Sequence, residues 1–369
     1  MTKVFDAGNV WVVKVGSSLL TSPLGLAVER VTQWVEDVVY LKKQGIKVVL
    51  VSSGAVAEGM GRLGLSERPE SVHLLQAAAA VGQMGLIQLY ESNFMRHSLH
   101  TAQILLTHDD LRSRERYLNA RVTLKTLIDM NVVPIVNEND TVVTDEIRFG
   151  DNDNLAALVA NLIEANTLIL LTDQDGLFDR DPRLGKAQLV ESAMASDPKL
   201  KTMAGPGTDI GQGGMITKIQ AAQVASRSGA NTVITSGHGK NVLRSIAKGR
   251  VSGTCLKADK PVLASRKQWL ATLVPQGQVI LDTGAVKVLK SKGRSLLPVG
   301  VRSVIGQFTR GDMVSCLDEN GFEIARGLIN YSDEESRLII GKSSSTIESK
   351  LGFLIEQELI HRDNLVISV

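Results

Sequence analysis

Short apolar runs alternate with amphipathic stretches over the first 250 residues, and this alternation restricts the fold more than any other feature. The runs are rich in β-branched residues and occupy positions 10–15, 47–51, 102–106, 132–136, 168–171 and 231–235. Between the first two runs lies a helical pattern whose valines, from Val28 to Val39, form one stripe that stops before Gly45. Buried strands that alternate with helices predict an α/β domain, in which a mostly parallel sheet is sandwiched between helices.

The sequence changes character near residue 276. Strand-like runs such as GQVILD, AVKVL and SRLIIGK follow one another, turn signals such as DENG recur, and no long helical stripe is visible up to residue 340. The stretch before them carries two prolines and mixed charge, which is typical of a connection between domains. We therefore predict an α/β domain at 1–258, a linker at 259–275 and a small β-rich domain at 276–369.

Charge and cysteine content argue against several classes of function. The chain holds 41 Lys+Arg against 39 Asp+Glu, and residues 276–369 hold 11 against 12, so no basic excess points to nucleic acid. The two cysteines show no CxxC or Cys/His spacing, which indicates no metal site and fits a reducing compartment. The apolar run near the N-terminus is interrupted by Lys14, and no apolar stretch reaches about 18 residues. We expect a cytoplasmic protein without a signal peptide or a membrane span.

Polar and glycine-rich loops follow the predicted strands, where parallel sheets bind their ligands. These loops read KVGSS from Lys14, VSSGAVAEG from Val51, NENDTV from Asn137, TDQDG from Thr172 and, before a later helical stretch, GTDIGQGGMITK up to Lys218. Taken singly, each is typical of a capped helix or a turn. Two lysines and several turns rich in free N–H groups, without a cysteine nucleophile or zinc spacing, together favour the stabilisation of a phosphoryl transfer.

Residues 150–157 read GDNDNLAA and precede an amphipathic helix. A single Asp or Asn side chain is enough to cap such a helix. The four successive residues Asp151, Asn152, Asp153 and Asn154 are therefore more than a cap requires. We expect one or two of them to satisfy the first helical turn and the others to face a site between the two lysine-bearing loops.

The motifs VVKVGSSLL, VSSGAVAEG, NENDTV, FGDNDNLAALVA, LLTDQDGLFDRDPR and GGMITK occur in this order along the chain. Their combination resembles the amino acid kinase family, and in particular those bacterial members that phosphorylate glutamate. The later segments SLLPVGV, FTRGD and EIARGL resemble the PUA domain that many of these enzymes carry. The resemblance covers nearly the whole chain.

The resemblance implies ATP-dependent phosphorylation of the γ-carboxylate of L-glutamate to L-glutamyl 5-phosphate, the first step of proline biosynthesis. It implies that Lys14 and Lys218 contact the transferring phosphoryl group and that Asp153 holds both lysines in place. The implied glutamate contacts are Ser53, Asp140 and Asn152, with Asp151 close by.

The resemblance also implies a nucleotide site. Its contacts would be Lys14, Thr172, Asp173, Gln212, Gly213, Gly214, Met215, Ile216, Thr217 and Lys218. Mg²⁺ would accompany the nucleotide and bridge phosphate oxygens with few protein ligands, and we assign no metal-binding residue. This chain departs from the family at Gln212, where GTGGM is usual, so a hydroxyl contact would be lost there while backbone contacts would remain.

Several alternatives stay open. The same fold serves kinases of other small carboxylates and of carbamate, and only the resemblance favours free glutamate. PUA domains elsewhere often bind RNA, which the charge balance of residues 276–369 does not favour. The resemblance further implies a homo-oligomer, either a dimer or a tetramer, to which the helical stretch 74–90 could contribute. It also implies feedback inhibition by proline. The balanced charge of the chain gives no reason to expect a membrane partner.

Overall fold

An eight-stranded sheet forms the centre of the first part of the chain. The computed structural model describes residues 8–22, 25–143, 152–205, 214–260 and 273–368. The chain divides into two units, residues 1–262 and 263–369. The strands of the first unit are β1 (Val10–Val15), β2 (Thr21–Ser22), β3 (Gly25–Leu26), β4 (Lys47–Ser52), β5 (Thr101–Leu106), β6 (Val133–Glu138), β7 (Thr167–Thr172), β8 (Ser192–Met194), β9 (Asn231–Ser236) and β10 (Thr254–Lys257).

The order of the large sheet is β5-β6-β4-β1-β7-β9-β10-β8, and β2 and β3 form a separate hairpin. Strand β1 pairs in parallel with β4 and β7, and the parallel pairing continues outward to β5 and to β9. Strand β10 is antiparallel to β9 and parallel to β8, so these two strands run against the other six. The six strands predicted from the sequence are confirmed, and the mostly parallel sheet with them.

Helices cover both faces of this sheet. They are α1 (Ser17–Leu20), α2 (Val28–Lys43), α3 (Ala55–Leu63), α4 (Val72–Met95), α5 (His108–Arg112), α6 (Arg114–Asp129), α7 (Asp153–Ile163), α8 (Lys199–Met203), α9 (Met215–Ser226) and α10 (Val242–Ala247), with a 3₁₀ turn at Pro182–Leu184. One face of the sheet buries residues of α6, α7 and α9, and the other buries residues of α2, α4 and α10. The predicted sandwich of a sheet between helices is thus confirmed.

The valine stripe of α2 is confirmed with one exception. Val31, Val35, Val38 and Val39 are buried, but Val28 is 53% exposed because it is the first residue of the helix and lies beyond the edge of the core. Gly45 follows the helix with φ +80°, a left-handed conformation that favours glycine.

Helix α4 is long and apolar enough to satisfy a length and composition test for membrane crossing, the one such helix in the described part of the chain. Its Leu86, Tyr90 and Phe94 are fully buried, and α4 packs against α2 and α3. This packing is typical of a core helix. By length and composition alone, however, the expectation that no apolar stretch is long enough to cross a membrane was wrong for α4.

The second unit contains a five-stranded sheet in the order β12-β11-β13-β14-β15. Its elements are β11 (Gly277–Leu281), α11 (Thr283–Lys292), β12 (Val301–Gly306), β13 (Met313–Leu317), β14 (Glu323–Leu328), α12 (Asp333–Ile339), α13 (Ile347–Leu351) and β15 (Leu365–Ile367), with 3₁₀ turns at Pro298–Gly300, Ser344–Thr346 and Arg362–Asn364. This unit has its own apolar core, which includes Val279, Val314 and Tyr331.

Two segments predicted as strands in this unit are helical. The run AVKVL belongs to α11, which Asp282 caps by accepting a hydrogen bond from the backbone N–H of Ala285. The run SRLIIGK overlaps α12, which begins with a capping box between Ser332 and Glu335. The prediction was wrong because apolar alternation over a few residues also occurs in short helices, and the capping residues Asp282 and Ser332 fix where these helices begin.

Candidate active site

Lys14 lies near the carboxyl end of β1, and its side chain is buried because side chains along the strand alternate between the two covered faces of the sheet. Trp11, Val13 and Val15 pack on one face of the sheet, whereas Val12 packs on the face covered by α7 and α9. Successive side chains of a strand point to opposite faces. Lys14 therefore extends toward α7 and α9, and only 4% of its surface is exposed.

Asp153 lies between Lys14 and Lys218. One carboxylate oxygen is 2.6 Å from Nζ of Lys14, and the other accepts a hydrogen bond from Nζ of Lys218 at 3.0 Å. The hydroxyl of Thr217 lies 3.0 Å from this second oxygen. Asp153 is the first residue of α7 and Lys218 lies in the first turn of α9, so two helix starts and one strand end meet at this carboxylate.

Burial alone would raise the pKa of Asp153, because a carboxylate loses its hydration. The ammonium groups of Lys14 and Lys218 outweigh that effect and hold the pKa of Asp153 below its usual range. The cluster thus combines one anion with two cations, all at most 7% exposed. It presents an excess of positive charge to anything that binds beside it.

Within the GDNDN stretch, the side chain of Asn152 does not cap α7. Asn152 occupies the cap position without a side-chain hydrogen bond to the first turn. Its amide group donates instead to the backbone oxygen of Ser52 at 3.0 Å and to Oδ1 of Asn137 at 2.7 Å. Asn154 contacts His108 at 3.1 Å. Asn152 is therefore not among the residues that satisfy the first turn, and the expectation that one or two of the four do so stays a prediction, since Asp151 lies outside the described residues.

A cavity of about 270 Å³ lies at the carboxyl ends of β1, β4 and β6, and Asn152, the residue before Asp153 in the chain, lines it. Three of the residues predicted to bind substrate, Ser53, Asp140 and Asn152, line it together. The other lining residues are Ser17, Ser18, Thr21, Gly54, Ala55, Val56, Ala57, Arg68, Asn137 and Glu138. A cavity of this size with few charged groups suits a small polar molecule.

Ser53 and the start of α3 form one wall of the cavity. The hydroxyl oxygen of Ser53 is buried and has no hydrogen-bond partner among the described residues. Gly54 has φ +96°, which lets the chain turn sharply from β4 into α3. The first residues of α3 therefore line the cavity, and helix N-termini carry free N–H groups that favour carboxylates.

Asp140 and Glu138 form an acidic wall. Burial and the neighbouring carboxylate of Glu138 raise the pKa of Asp140 to about 7, although Arg68 acts in the opposite direction. The Nδ1 atom of His108 lies 3.3 Å from Glu138, and the other ring nitrogen of His108 contacts Asn154. The GDNDN stretch is thus linked to both the lysine cluster and the acidic wall.

Apart from Lys14 on β1, the described residues predicted to contact the nucleotide lie at the carboxyl end of β7 and at the start of α9. Thr172 is buried and donates a hydrogen bond to Asp173 at 3.0 Å, whereas Asp173 is exposed. Gly214, Met215, Ile216 and Thr217 are half-buried around the first turn of α9. The structure brings Thr217 and Lys218 to Asp153, but Gln212 and Gly213 lie outside the described residues. The nucleotide roles of these residues remain predictions.

Two residues of the cavity wall, Glu138 and Arg68, and His108, which contacts Glu138, could not be found from the sequence. Glu138 lies within the quoted NENDTV motif but was not singled out, and His108 follows the third predicted strand. Arg68 lies between α3 and α4 and follows no strand, so the rule that directed attention to strand ends could not find it. Among the described residues, no group of three or more His, Cys, Asp or Glu side chains is arranged to hold a metal ion.

Comparison with protein families agrees with this geometry. Residues 9–236 match the amino acid kinase family model, and residues 277–351 match the PUA domain model. The first match covers more than half of the chain, so the chain belongs to the amino acid kinase family.

The curated relatives of the chain specify the group within this family. Proteins named Glutamate 5-kinase from Nitrosospira multiformis and Thioalkalivibrio sulfidiphilus are 60% and 59% identical to it, over 100% and 97% of its length and 100% and 96% of theirs. A solved carbamate kinase from Giardia lamblia shares the fold at 17% identity, with a TM-score of 0.51 over 69% of this chain and 99% of that chain.

Proposed function

We propose that the protein transfers the γ-phosphoryl group of ATP to the γ-carboxylate of L-glutamate, giving L-glutamyl 5-phosphate and ADP, the first step of proline biosynthesis. The curated relatives support the substrate and the reaction. The observation that carries the proposal is the buried Asp153, which fixes two lysines beside a cavity lined by acidic, amide and hydroxyl groups.

The chemical step needs positive charge more than it needs a nucleophile from the protein. A γ-carboxylate oxygen of glutamate forms a bond to the γ-phosphorus of ATP while the bond to the β–γ bridging oxygen breaks, and ADP leaves with that electron pair. Both reactants are anions, so their approach is opposed by repulsion. Lys14 and Lys218, oriented by Asp153, would stabilise the charge that develops on the transferring group.

The cavity would orient the glutamate. Its ammonium group fits the carboxylate of Asp140, and Asn152 would offer its carbonyl oxygen because both hydrogens of its amide already bind Ser52 and Asn137. The unpartnered hydroxyl of Ser53 and the first turn of α3 would meet a carboxylate.

Mg²⁺ would accompany ATP and neutralise phosphate charge. Both oxygens of Asp153 already contact ammonium groups, and the described residues contain no ready cluster of metal ligands. The donor set fits an ion held mainly by phosphate oxygens and water. Thr172, Asp173 and residues 212–218 would hold the nucleotide itself.

The direct test is a γ-glutamyl hydroxamate assay with ATP, Mg²⁺ and a panel of acceptors. L-Glutamate should be phosphorylated with the highest kcat/KM. Faster turnover of N-acetylglutamate, aspartate or carbamate would contradict the substrate assignment. The same assay with added proline tests feedback inhibition, which we propose only from the family.

We propose that the protein is a cytoplasmic homo-oligomer that uses one face of α4. Leu74, Val81 and Met84 are 52%, 37% and 73% exposed and recur at heptad-like spacing on one face of this helix. Met84→Glu should lower the mass measured by light scattering, because it would place a charge in the interface. Met130→Glu, at another residue that is 67% exposed, is the control. Equal masses for both variants would exclude this face of α4 as the oligomer interface.

We further propose the division into a kinase domain at 1–258, a linker at 259–275 and a PUA-like domain at 276–369. The family matches at 9–236 and 277–351 support it, and most of the proposed linker lies outside the described residues.

A further inference from the structure

Arg68 is the one basic side chain among the described residues that line the substrate cavity. It lies on the segment between α3 and α4, and its side chain is exposed. The sequence analysis gave it no role, and the proposed reaction so far uses only the lysines for positive charge. Its position beside the acidic wall therefore needs an explanation.

Without Arg68, the residues that line the cavity would carry negative charge only. Asp140 and Glu138 contribute two carboxylates, and the other lining residues are neutral. Arg68 acts on this wall, since it lowers the pKa of Asp140 against the effects of burial and of Glu138. Arg68 and Asp140 line the same cavity of about 270 Å³, so a small molecule held there by Asp140 lies within reach of Arg68.

Glutamate carries three charges, and the proposed site so far provides charged partners for two of them. The γ-carboxylate is directed to the lysine cluster and the ammonium group to Asp140. The α-carboxylate is attached to the same carbon as the ammonium group, so it must lie near Asp140 as well. The first turn of α3 offers it N–H groups, but no full positive charge.

We propose that Arg68 determines specificity for an α-amino acid by binding the α-carboxylate of the substrate. A guanidinium group matches the planar geometry of a carboxylate and keeps its charge at any physiological pH. Arg68 and Asp140 then bind the α-carboxylate and the ammonium group of the substrate, respectively. Lys14 and Lys218 stabilise the transfer at its γ-carboxylate. This inference rests on the proposed function, because it assumes that glutamate occupies the cavity.

The test compares Arg68→Gln, Arg68→Lys and the control Arg62→Gln in the hydroxamate assay. Arg62 is also an exposed arginine, but it pairs with Glu58 and lines a different cavity. Arg68→Gln should raise KM for glutamate about tenfold with kcat and KM for ATP unchanged, as expected when a charged contact of equal strength in the bound substrate and the transition state is lost. Arg68→Lys should recover part of this loss, and Arg62→Gln should behave like the parent.

Inhibition by glutarate distinguishes direct binding of the α-carboxylate by Arg68 from an indirect effect of Arg68 through Asp140. It keeps both carboxylates of glutamate and lacks the ammonium group. Arg68→Gln should weaken competitive inhibition by glutarate by the same factor as it raises KM for glutamate, whereas Asp140→Asn should not weaken it. A change of KM below twofold would overturn the proposal. A raised KM with unchanged inhibition by glutarate would overturn it too, because Arg68 would then act through Asp140. A parent enzyme that does not use glutamate at all would instead contradict the proposed function.

Discussion

Asp153 is the residue on which the proposed site depends. It is fully buried, and its two oxygens contact two ammonium groups that would otherwise repel each other. Sequence reasoning alone could not separate this role from a helix cap, because Asp and Asn cap helices about equally well. The structure shows the difference, since the two carboxylate oxygens of Asp153 lie against Lys14 and Lys218.

Asp153→Asn should lower kcat by about 10²-fold or more, because a neutral amide leaves both lysines without their counter-ion. Unpaired buried lysines also destabilise the fold, so thermal unfolding should be followed with and without ATP, whose phosphates would replace the lost charge. Full activity in a stably folded variant would show that the carboxylate is not needed to orient the lysines.

The raised pKa of Asp140 predicts a pH dependence of substrate binding. With a pKa of about 7, Asp140 is protonated in the free enzyme at lower pH, yet the ammonium group of glutamate favours the ionised form. Binding below pH 7 must therefore release a proton. We expect kcat/KM for glutamate to fall by up to about tenfold per pH unit below that value and to be constant just above it.

Asp140→Asn supplies the control for this pH dependence. This variant should lose the break near pH 7 and should have a lower kcat/KM at pH 8 than the parent. A break that stays at the same pH in the variant would assign it to another group.

At the scale of elements, six strands of the large sheet could be predicted, whereas its short strands β8 and β10 and two helices of the second unit could not. The strand β1 was predicted at its observed bounds, and period-two alternation then places Lys14 on the face of α7 and α9. Helices α11 and α12 were missed because their apolar residues are few and their caps were overlooked. Arg68 could not be predicted as a cavity residue, because the packing of α3 against α4 brings the segment between them to the cavity. Local sequence patterns do not show how two helices pack.

The turn from β4 into α3 can be tested with a pair of glycine variants. Gly54 and Gly64 border the two ends of α3 with φ +96° and +69°, so alanine is strained at both, by roughly 1 kcal/mol. Both variants should unfold at lower temperature, but only Gly54→Ala should also raise KM for glutamate, by roughly tenfold, because it displaces the cavity wall. Equal KM values in the two variants would show that this wall does not contact the substrate.

At the scale of the whole molecule, the sequence supports the two-part organisation more strongly than it supports the details of the site. The alternation of strands and helices, and its change near residue 276, reflect burial on two faces of a sheet and are visible in local patterns. The cavity joins residues from α1, α3, β6 and the segments that precede α4 and α7. Which of these residues lie side by side depends on the order of the strands in the sheet. That order could not be derived from the sequence by local rules.

The most direct test of the central claim is the kcat of Lys14→Ala and Lys218→Ala at saturating glutamate and ATP. Lys47→Ala is the control, since Lys47 is exposed and pairs with Asp129 away from the cavity. Each of the first two variants should lose at least about 10²-fold in kcat while its circular dichroism spectrum matches that of the parent. Rates within tenfold of the parent in a folded protein would contradict the claim that these two lysines stabilise the phosphoryl transfer.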